Sequence, residues 1–167
     1  MSSSSLRLLA LAATLALGGC GIQPLYGTLN GHLQDELQAI AVEPIPDRLG
    51  HYLGNELIFA FNGTGSEVTP KYRLLVTLVE RVATPIVDTF QARATAATVF
   101  VDATYKLTPV GGGAAVASGT ATAAATYDRS AQRFANLRAA RDAEIRDAKT
   151  LADQIRTRIA AALAAKG

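Results

Sequence analysis

The residue with the most distinctive chemistry is Cys20, the only cysteine of the chain. A single thiol cannot form an internal disulfide, so modification of that thiol is the chemistry to consider. Residues 8–17 form an apolar run of about ten residues, and two glycines separate this run from Cys20. A run of that length matches the apolar region of a signal peptide and is too short to span a bilayer as a helix. Small residues before Cys20 would let the chain enter a peptidase cleft in an extended form.

The sequence Leu17-Gly18-Gly19-Cys20 resembles the lipobox of bacterial lipoproteins. In that family the cysteine thiol takes a diacylglycerol, a dedicated peptidase cleaves before it, and a fatty acid such as palmitate acylates the new amine. The resemblance implies a signal peptide over residues 1–19, export, and a membrane anchor on Cys20. Several acyl chains hold a domain stably on a bilayer, whereas one chain gives marginal binding. Gly21, where some lipoproteins carry Asp, favours the outer membrane by the sorting rule of many Gram-negative lipoproteins.

Composition excludes several classes of protein. Residues 20–167 suffice for one domain of ordinary size. The chain has 16 Lys plus Arg against 14 Asp plus Glu, so it lacks the large excess of positive charge that would indicate a nucleic-acid partner. No second apolar stretch is long enough to span a membrane, so we expect a body that faces the periplasm.

A catalytic constellation is missing from the sequence, which has no nucleophile elbow, C-x-x-C, H-E-x-x-H or Walker loop. The glycines at 111–113 lie between predicted strands and do not open a helix, so they form no phosphate cradle. His32 and His51 lack the third and fourth ligands of a zinc site. We therefore predict a protein that is not an enzyme and needs no cofactor or metal.

In the N-terminal half, proline and glycine residues separate segments that have the hydrophobic periodicity of a strand or a helix. Residues 20–36 are predicted to be the acylated cysteine and a tether, because Pro24, Gly27 and Gly31 are breakers. Residues 37–45 are predicted to be a first strand. An amphipathic helix should follow, with Asp47 as its N-cap and Gly63 as a left-handed stop.

The remainder predicts three strands and a long helix. Strand-like alternation covers residues 71–85 and 92–107, and a partner strand covers 114–127. A helix should begin near Asn136, and its predicted apolar stripe consists of Ile145, Ala148, Leu151, Ala152, Ile155, Ile159, Ala162 and Leu163. Solvated charge pairs are predicted on its other face, at Asp142, Glu144, Asp147 and Asp153.

The predicted order β-α-β-β-β-α defines the fold class as α+β. We expect a two-layer sandwich over residues 37–167, in which two helices cover one face of a four-stranded, mostly antiparallel sheet. The other face of the sheet should stay partly open for a partner, and the isolated domain should be a stable monomer.

The start of the mature chain resembles a known family. Cys20-Gly21 followed by Pro24-Leu25-Tyr26-Gly27 is similar to the start of the alphaproteobacterial LPS-assembly lipoprotein LptE. Further segments resemble that family in order: Ile40-Ala41-Val42, residues 48–61, Tyr72-Arg73-Leu74, Tyr105-Lys106-Leu107, Tyr127-Asp128-Arg129, Phe134-Ala135 and residues 154–159.

That resemblance implies a function and partners. LptE-like proteins are not enzymes. They sit as a plug in the lumen of LptD, an outer-membrane β-barrel, help that barrel to fold, and help to pass lipopolysaccharide to the outer leaflet. This chain is thus expected on the outer membrane, with its domain on the periplasmic side or within the barrel lumen.

Lipopolysaccharide carries phosphates and acyl chains, so a binding face should place cations beside apolar residues. Candidates on the predicted strands are Lys71, Arg73, Arg81, Arg93 and Lys106. The alternative is that these cations are solvent-facing strand residues or guard a sheet edge. The small Ala and Thr side chains of the strands would allow close approach to a barrel wall, although genomic composition explains them equally well.

Three other functions compete with this hypothesis. The chain could be the auxiliary lipoprotein of an ABC-type lipid transport system, which would share the anchor and a similar sheet. A lipoprotein enzyme such as a cell-wall hydrolase is disfavoured because no acid/base or metal cluster is found. A purely structural envelope protein is the third.

Overall fold

The computed structural model describes residues 31–63, 68–84, 87–88 and 93–166. The predicted signal peptide, Cys20 and most of the predicted tether lie outside these residues. The described helices are α1 (Gly31–Gln38), α2 (Asp47–Asn62) and α3 (Arg133–Ala164). The strands are β1 (Ile40–Val42), β2 (Tyr72–Ala83), β3 (Val87–Asp88), β4 (Arg93–Ala94), β5 (Ala96–Pro109) and β6 (Ala117–Asp128).

The main sheet has four strands in the order β1-β2-β5-β6. β1 runs parallel to β2, whereas the β2–β5 and β5–β6 pairs are antiparallel. The predicted α+β class and mostly antiparallel sheet are therefore confirmed, with α1 as an additional helix. The first strand is shorter than predicted at both ends: Leu37 and Gln38 belong to α1, and the strand ends two residues before Pro44, which has no backbone N–H to donate to a ladder.

The predicted strand 92–107 is divided in the structure. Its first residues form β4, which pairs with β3 as a separate two-stranded ribbon. The pairs Ala83↔Thr98 and Val87↔Ala94 share one register, so the ribbon continues the β2–β5 hairpin in the same alignment.

Residues 31–36 form most of α1, so the prediction of a tether as far as residue 36 is wrong for this part. Leu33 and Leu37 are buried, and their spacing of four places both on one face of the helix. Glu36 also ties α1 to β2, because its carboxylate accepts bonds from Lys71 Nζ at 2.5 Å and from the Tyr72 hydroxyl at 2.6 Å. Gly31 is tolerated because it stands at the first helical position.

Both predicted ends of α2 are wrong in detail. The N-cap position is Pro46, with no side-chain cap bond, and Asp47 adopts a left-handed φ of 69°. Gly63 has a φ of −55°, so the helix does not stop in the left-handed conformation. A side chain at Gly50 would lie 2.7 Å from Ile45 Cγ2 and 2.8 Å from the Ile45 carbonyl oxygen, so glycine is required there for close approach.

The core lies between the helices and one face of the sheet. The alternation predicted for β2 and β5 is confirmed, since Leu74 and Val76 are buried whereas Leu75 and Val79 are exposed. The largest fully buried side chains come from α2, α3, β2 and β5: Leu53, Leu57, Leu74, Val99, Val101, Leu107, Asp147, Leu151, Ile155 and Ile159.

The long helix α3 agrees with its predicted stripe only from Ala148 onward. Ile145 is 40% exposed, whereas Glu144 and Asp147, predicted as solvated, are buried. The helix begins at Arg133, three residues before Asn136. The Asn136 side chain instead bonds the loop before the helix, through the backbone N–H and carbonyl of Ser130 at 2.8 and 3.0 Å.

Candidate functional site

The sheet face that points away from the core is largely exposed to solvent among the described residues. Directly opposite residues of an antiparallel pair share a face, so the register defines this surface. We call it the open face. It consists of Arg73, Leu75, Thr77, Val79 and Arg81 of β2, Thr98, Phe100, Asp102, Thr104 and Lys106 of β5, and Ser118, Thr120, Thr122, Ala124 and Thr126 of β6.

Small hydroxyl side chains make up seven of the fifteen residues of the open face. Cross-strand threonine pairs bond through their Oγ1 atoms, at 2.9 Å for Thr98 and Thr126 and 3.4 Å for Thr104 and Thr120. Three larger apolar side chains stand among them, with exposures of 55% for Leu75, 55% for Val79 and 39% for Phe100. The face therefore combines small polar side chains with a few exposed apolar ones.

The structure brings three of the five predicted lipopolysaccharide-binding cations to this face. Arg73 and Lys106 lie near one end of it, and Arg81 lies toward the other. Eight residues of strand separate Arg73 from Arg81, which corresponds to roughly 26 Å. Lys71 lies just before β2, and Arg93 is in β4, where its side chain is outside the described structure.

These cations differ in their partners. Arg81 Nη2 lies 3.1 Å from Asp102 Oδ2, and Arg73 Nε lies 3.8 Å from Glu43 Oε1. Such exposed pairs contribute little to stability, so both guanidinium groups can exchange partners readily. Lys106 has no acidic partner among the described side chains. Lys71 is the most firmly held, because Glu36 is shielded and its pKa is lowered, chiefly by the bonds from Lys71 and Tyr72.

A second polar cluster joins the two long helices. Arg48 of α2 donates to Glu144 of α3 from Nε at 2.8 Å and from Nη2 at 2.5 Å, and these bonds raise the pKa of Arg48. Burial and the nearby Glu144 charge raise the pKa of Glu80 on β2. Arg48 and Glu144 are 96 residues apart in the sequence, so no local sequence signal reveals their pairing.

Asp147 is the other buried acid that sequence reasoning missed. Only 2% of it is exposed, and burial raises its pKa to about 6 despite a bond from the Ala125 backbone. Its Oδ2 atom has no hydrogen-bond partner among the described groups. It lies in a shallow depression between α3 and β6, lined also by Ala124, Arg146 and Thr150.

The outer edge of β6 is covered by α3. Arg146 Nη2, Gln154 Nε2 and Arg158 Nη1 donate to the carbonyl oxygens of β6 residues Thr126, Thr122 and Thr120, at 3.0, 2.9 and 2.5 Å. Spacings of four and eight residues place these donors on one face of the helix. Polar side chains of α3 thus satisfy carbonyl groups that an edge strand would otherwise present to another chain.

Nothing in the described part of the chain forms a group of three or more His, Cys, Asp or Glu side chains placed to hold a metal ion. Its helices also include none that is long and apolar enough to cross a bilayer. The features that the structure does offer are a broad sheet face and strand edges.

The comparisons with known proteins define the family. The LptE profile, described as lipopolysaccharide-assembly, matches residues 37–159, so the chain belongs to the LptE family of lipopolysaccharide-assembly lipoproteins. This match confirms the family predicted from the sequence. Members of this family are not enzymes. A comparison with curated protein sequences finds no significant match.

Solved structures show the same fold. A candidate lipoprotein from Caulobacter crescentus is 24% identical with a TM-score of 0.65, and the match covers 80% of this chain and 96% of that one. A minor lipoprotein from Acinetobacter baumannii is 19% identical with a TM-score of 0.55, and the match covers 73% of this chain and 90% of that one.

Proposed function

We propose that this chain is an outer-membrane lipoprotein, acylated on Cys20, that associates with an LptD-type β-barrel as a plug and assembly partner. In that role it assists the transport of lipopolysaccharide and its insertion into the outer leaflet. Membership of the LptE family supports this function, and the open face is the structural observation on which the barrel contact rests.

The shape of the open face suits a close fit against a wall. All five open-face side chains of β6 are threonine, serine or alanine, so a second surface can approach this strand closely. Leu75, Val79 and Phe100 supply the large apolar contacts that carry much of the energy of a protein interface. The helices cover the opposite face, so the open face is the side of the sheet available to a partner.

The cations of the open face fit the lipid cargo. Arg73, Arg81 and Lys106 stand beside Leu75 and Phe100, which pairs phosphate-binding groups with apolar surface. Exposed carboxylates hold the two arginines, and a phosphate can replace such a partner at small cost. We place Lys71 lower among the candidates, because Glu36 already holds its ammonium group.

The test is a pull-down of the tagged lipoprotein from outer membranes in mild detergent, with mass spectrometry of what remains bound. We expect a single large β-barrel at close to one copy per lipoprotein. Recovery of inner-membrane ABC transporter subunits without a barrel would instead assign the chain to the auxiliary lipoproteins of lipid transport systems.

A matched pair of variants tests the surface. Val79→Glu places a charge on the open face, and Ile58→Glu places one on the outer side of α2 at a similar exposure, 55% against 52%. We expect Val79→Glu to reduce the recovered barrel strongly and Ile58→Glu to leave it unchanged. Equal recovery with both variants would remove the open face from the interface.

A further inference from the structure

The two edges of the main sheet differ in how their outward backbone groups are bonded. At β6, side chains of α3 bond the outward carbonyls, as described above. At the other edge, β1 pairs only with Tyr72, Arg73 and Leu74, although β2 continues to Ala83. Pro44 and Pro46 carry the chain away from the sheet at this point, because proline cannot continue a ladder. Residues 75–83 of β2 thus lack a described neighbouring strand on their outer side.

The direction of the free groups follows from the bonds around them. The Glu43 N–H donates to the Leu74 carbonyl at 3.0 Å, so this even-numbered residue directs its carbonyl outward. The Lys71 carbonyl accepts from Val110, so odd-numbered residues direct theirs toward β5. By this alternation the N–H and C=O groups of Val76, Leu78, Glu80 and Val82 point outward. None of them has a described backbone partner on that side.

The surroundings of this edge leave room for a strand. A depression of about 130 Å³ lies beside it, lined by Thr77, Leu78 and Glu80 of β2 and by Pro46 and Gly50 at the start of α2. Val79 and Val82 flank the edge on its two sides, with exposures of 55% and 56%. Residues 75–83 contain no proline that would block pairing.

We propose that residues 75–83 form a strand-docking edge, which receives an extended segment of the barrel partner and continues the sheet beyond β2. This inference rests on the proposed function. Outward donors and acceptors that repeat every second residue, about 6.7 Å apart, match the backbone of another strand. A lipid cannot supply that pattern, so the occupant is a polypeptide. It should carry apolar side chains where it passes Leu78 and Val82.

A lone strand fits this edge better than a second copy of the chain. Two copies related by a two-fold axis would use the same patch, so each would bring its own Pro46–Gly50 corner toward the edge of the other. A single extended segment meets only one such corner. Analytical ultracentrifugation of the free lipoprotein in detergent distinguishes the two occupants, because only the second copy would give a dimer.

The direct test compares Glu80→Pro with Glu80→Ala in the full acylated lipoprotein. Proline removes an outward N–H and places its ring in the path of an incoming strand, while the β2–β5 ladder keeps its bonds. Alanine removes the same carboxylate and keeps the N–H. We expect Glu80→Pro to lower the barrel recovered per lipoprotein by about tenfold or more, and Glu80→Ala to leave it unchanged. Val82→Pro and Val82→Ala repeat the comparison two residues away.

Hydrogen exchange on the unmodified protein provides a readout that does not depend on the folding of a variant. The amides of residues 75–83 that point outward should exchange about a hundredfold more slowly in the barrel complex than in the free lipoprotein. Unchanged exchange in the complex, or full recovery of the barrel with both proline variants, would overturn the docking edge alone. If the wild-type protein recovers no barrel, the proposed function fails and this inference fails with it. A homodimer that Glu80→Pro dissolves would assign the edge to a second copy and overturn the partner strand.

Discussion

Arg48 and Glu144 form a two-pronged ion pair that fastens the first turn of α2 to α3, with bonds of 2.8 and 2.5 Å. The two ends of the pair differ in their surroundings, because 57% of the Arg48 side chain is exposed but only 5% of the Glu144 side chain. The arginine therefore neutralises a carboxylate that the packing of the helices has removed from water.

Removal of the arginine should destabilise the fold more than removal of an ordinary surface charge. Arg48→Ala leaves Glu144 buried without its partner, and we expect a loss of about 1–3 kcal/mol in the free energy of unfolding. Urea denaturation measures the change. Arg138→Ala, on an exposed part of α3, is the control and should change stability by less than about 0.5 kcal/mol. Equal losses in the free energy of unfolding for the two variants would show that the ion pair contributes no more to stability than an ordinary surface charge.

Asp147 should make stability depend on pH. Its pKa is about 6 in the folded protein against a usual 3.8, so folding favours the protonated acid. That contribution is fully present below pH 3.8 and is lost as the pH rises through about 6. The urea midpoint should therefore rise between pH 7 and pH 5, and Asp147→Asn should lack this part of the rise. Glu36 stays ionised in this window because its pKa is lowered. Parallel pH curves for the two proteins would refute the prediction.

Two glycines of α2 should respond in opposite ways to alanine. At Gly50 the new methyl group would meet Ile45 Cγ2 and the Ile45 carbonyl, so we expect Gly50→Ala to destabilise the protein by about 1–3 kcal/mol. At Gly54 the nearest atom is Ile45 Cδ1 at 4.0 Å. Gly54→Ala should gain helix propensity and raise stability by up to about 1 kcal/mol. Thermal unfolding of the pair measures both, and a stabilising Gly50→Ala would contradict the close approach.

The proposed anchor is tested at two neighbouring positions. Cys20→Ala removes the thiol that takes the lipid, so labelled palmitate should no longer be incorporated and the mature domain should not remain stably attached to membranes. Gly21→Asp keeps the thiol, and by the sorting rule of many Gram-negative lipoproteins it should retain the acylated protein in the inner membrane. Membrane fractionation with palmitate labelling measures both outcomes. Palmitate incorporation into Cys20→Ala would place the lipid on another residue.

The strand faces could be predicted because period-two alternation depends only on which side of the sheet is buried. Arg73 and Arg81 have the same parity in β2, so their common face was readable from the sequence. The pairing of Lys71 with Glu36 could not be predicted, because the helix-breaking residues near α1 led to the prediction of a tether instead of a helix. With only eight residues, α1 depends on tertiary packing rather than on its own propensity.

The acids of α3 show why the rest could not be predicted. Helical periodicity placed Glu144 and Asp147 among arginines on the same helix, which is typical of solvated pairs. Their partners come from elsewhere, Arg48 on α2 and the Ala125 backbone on β6. Burial of these acids is thus a consequence of how α3 lies across its neighbours. The open edge of β2 likewise follows from where Pro44 ends a different strand.

The row of α3 side chains along β6 has a consequence for assembly. Because α3 already bonds three carbonyl groups of β6, this edge accepts an added strand less readily than the free edge of β2. Two molecules that met through their free edges would form a closed pair with no edge left to offer. Growth into a fibre is disfavoured in this way, since a fibre needs two growing edges on every unit.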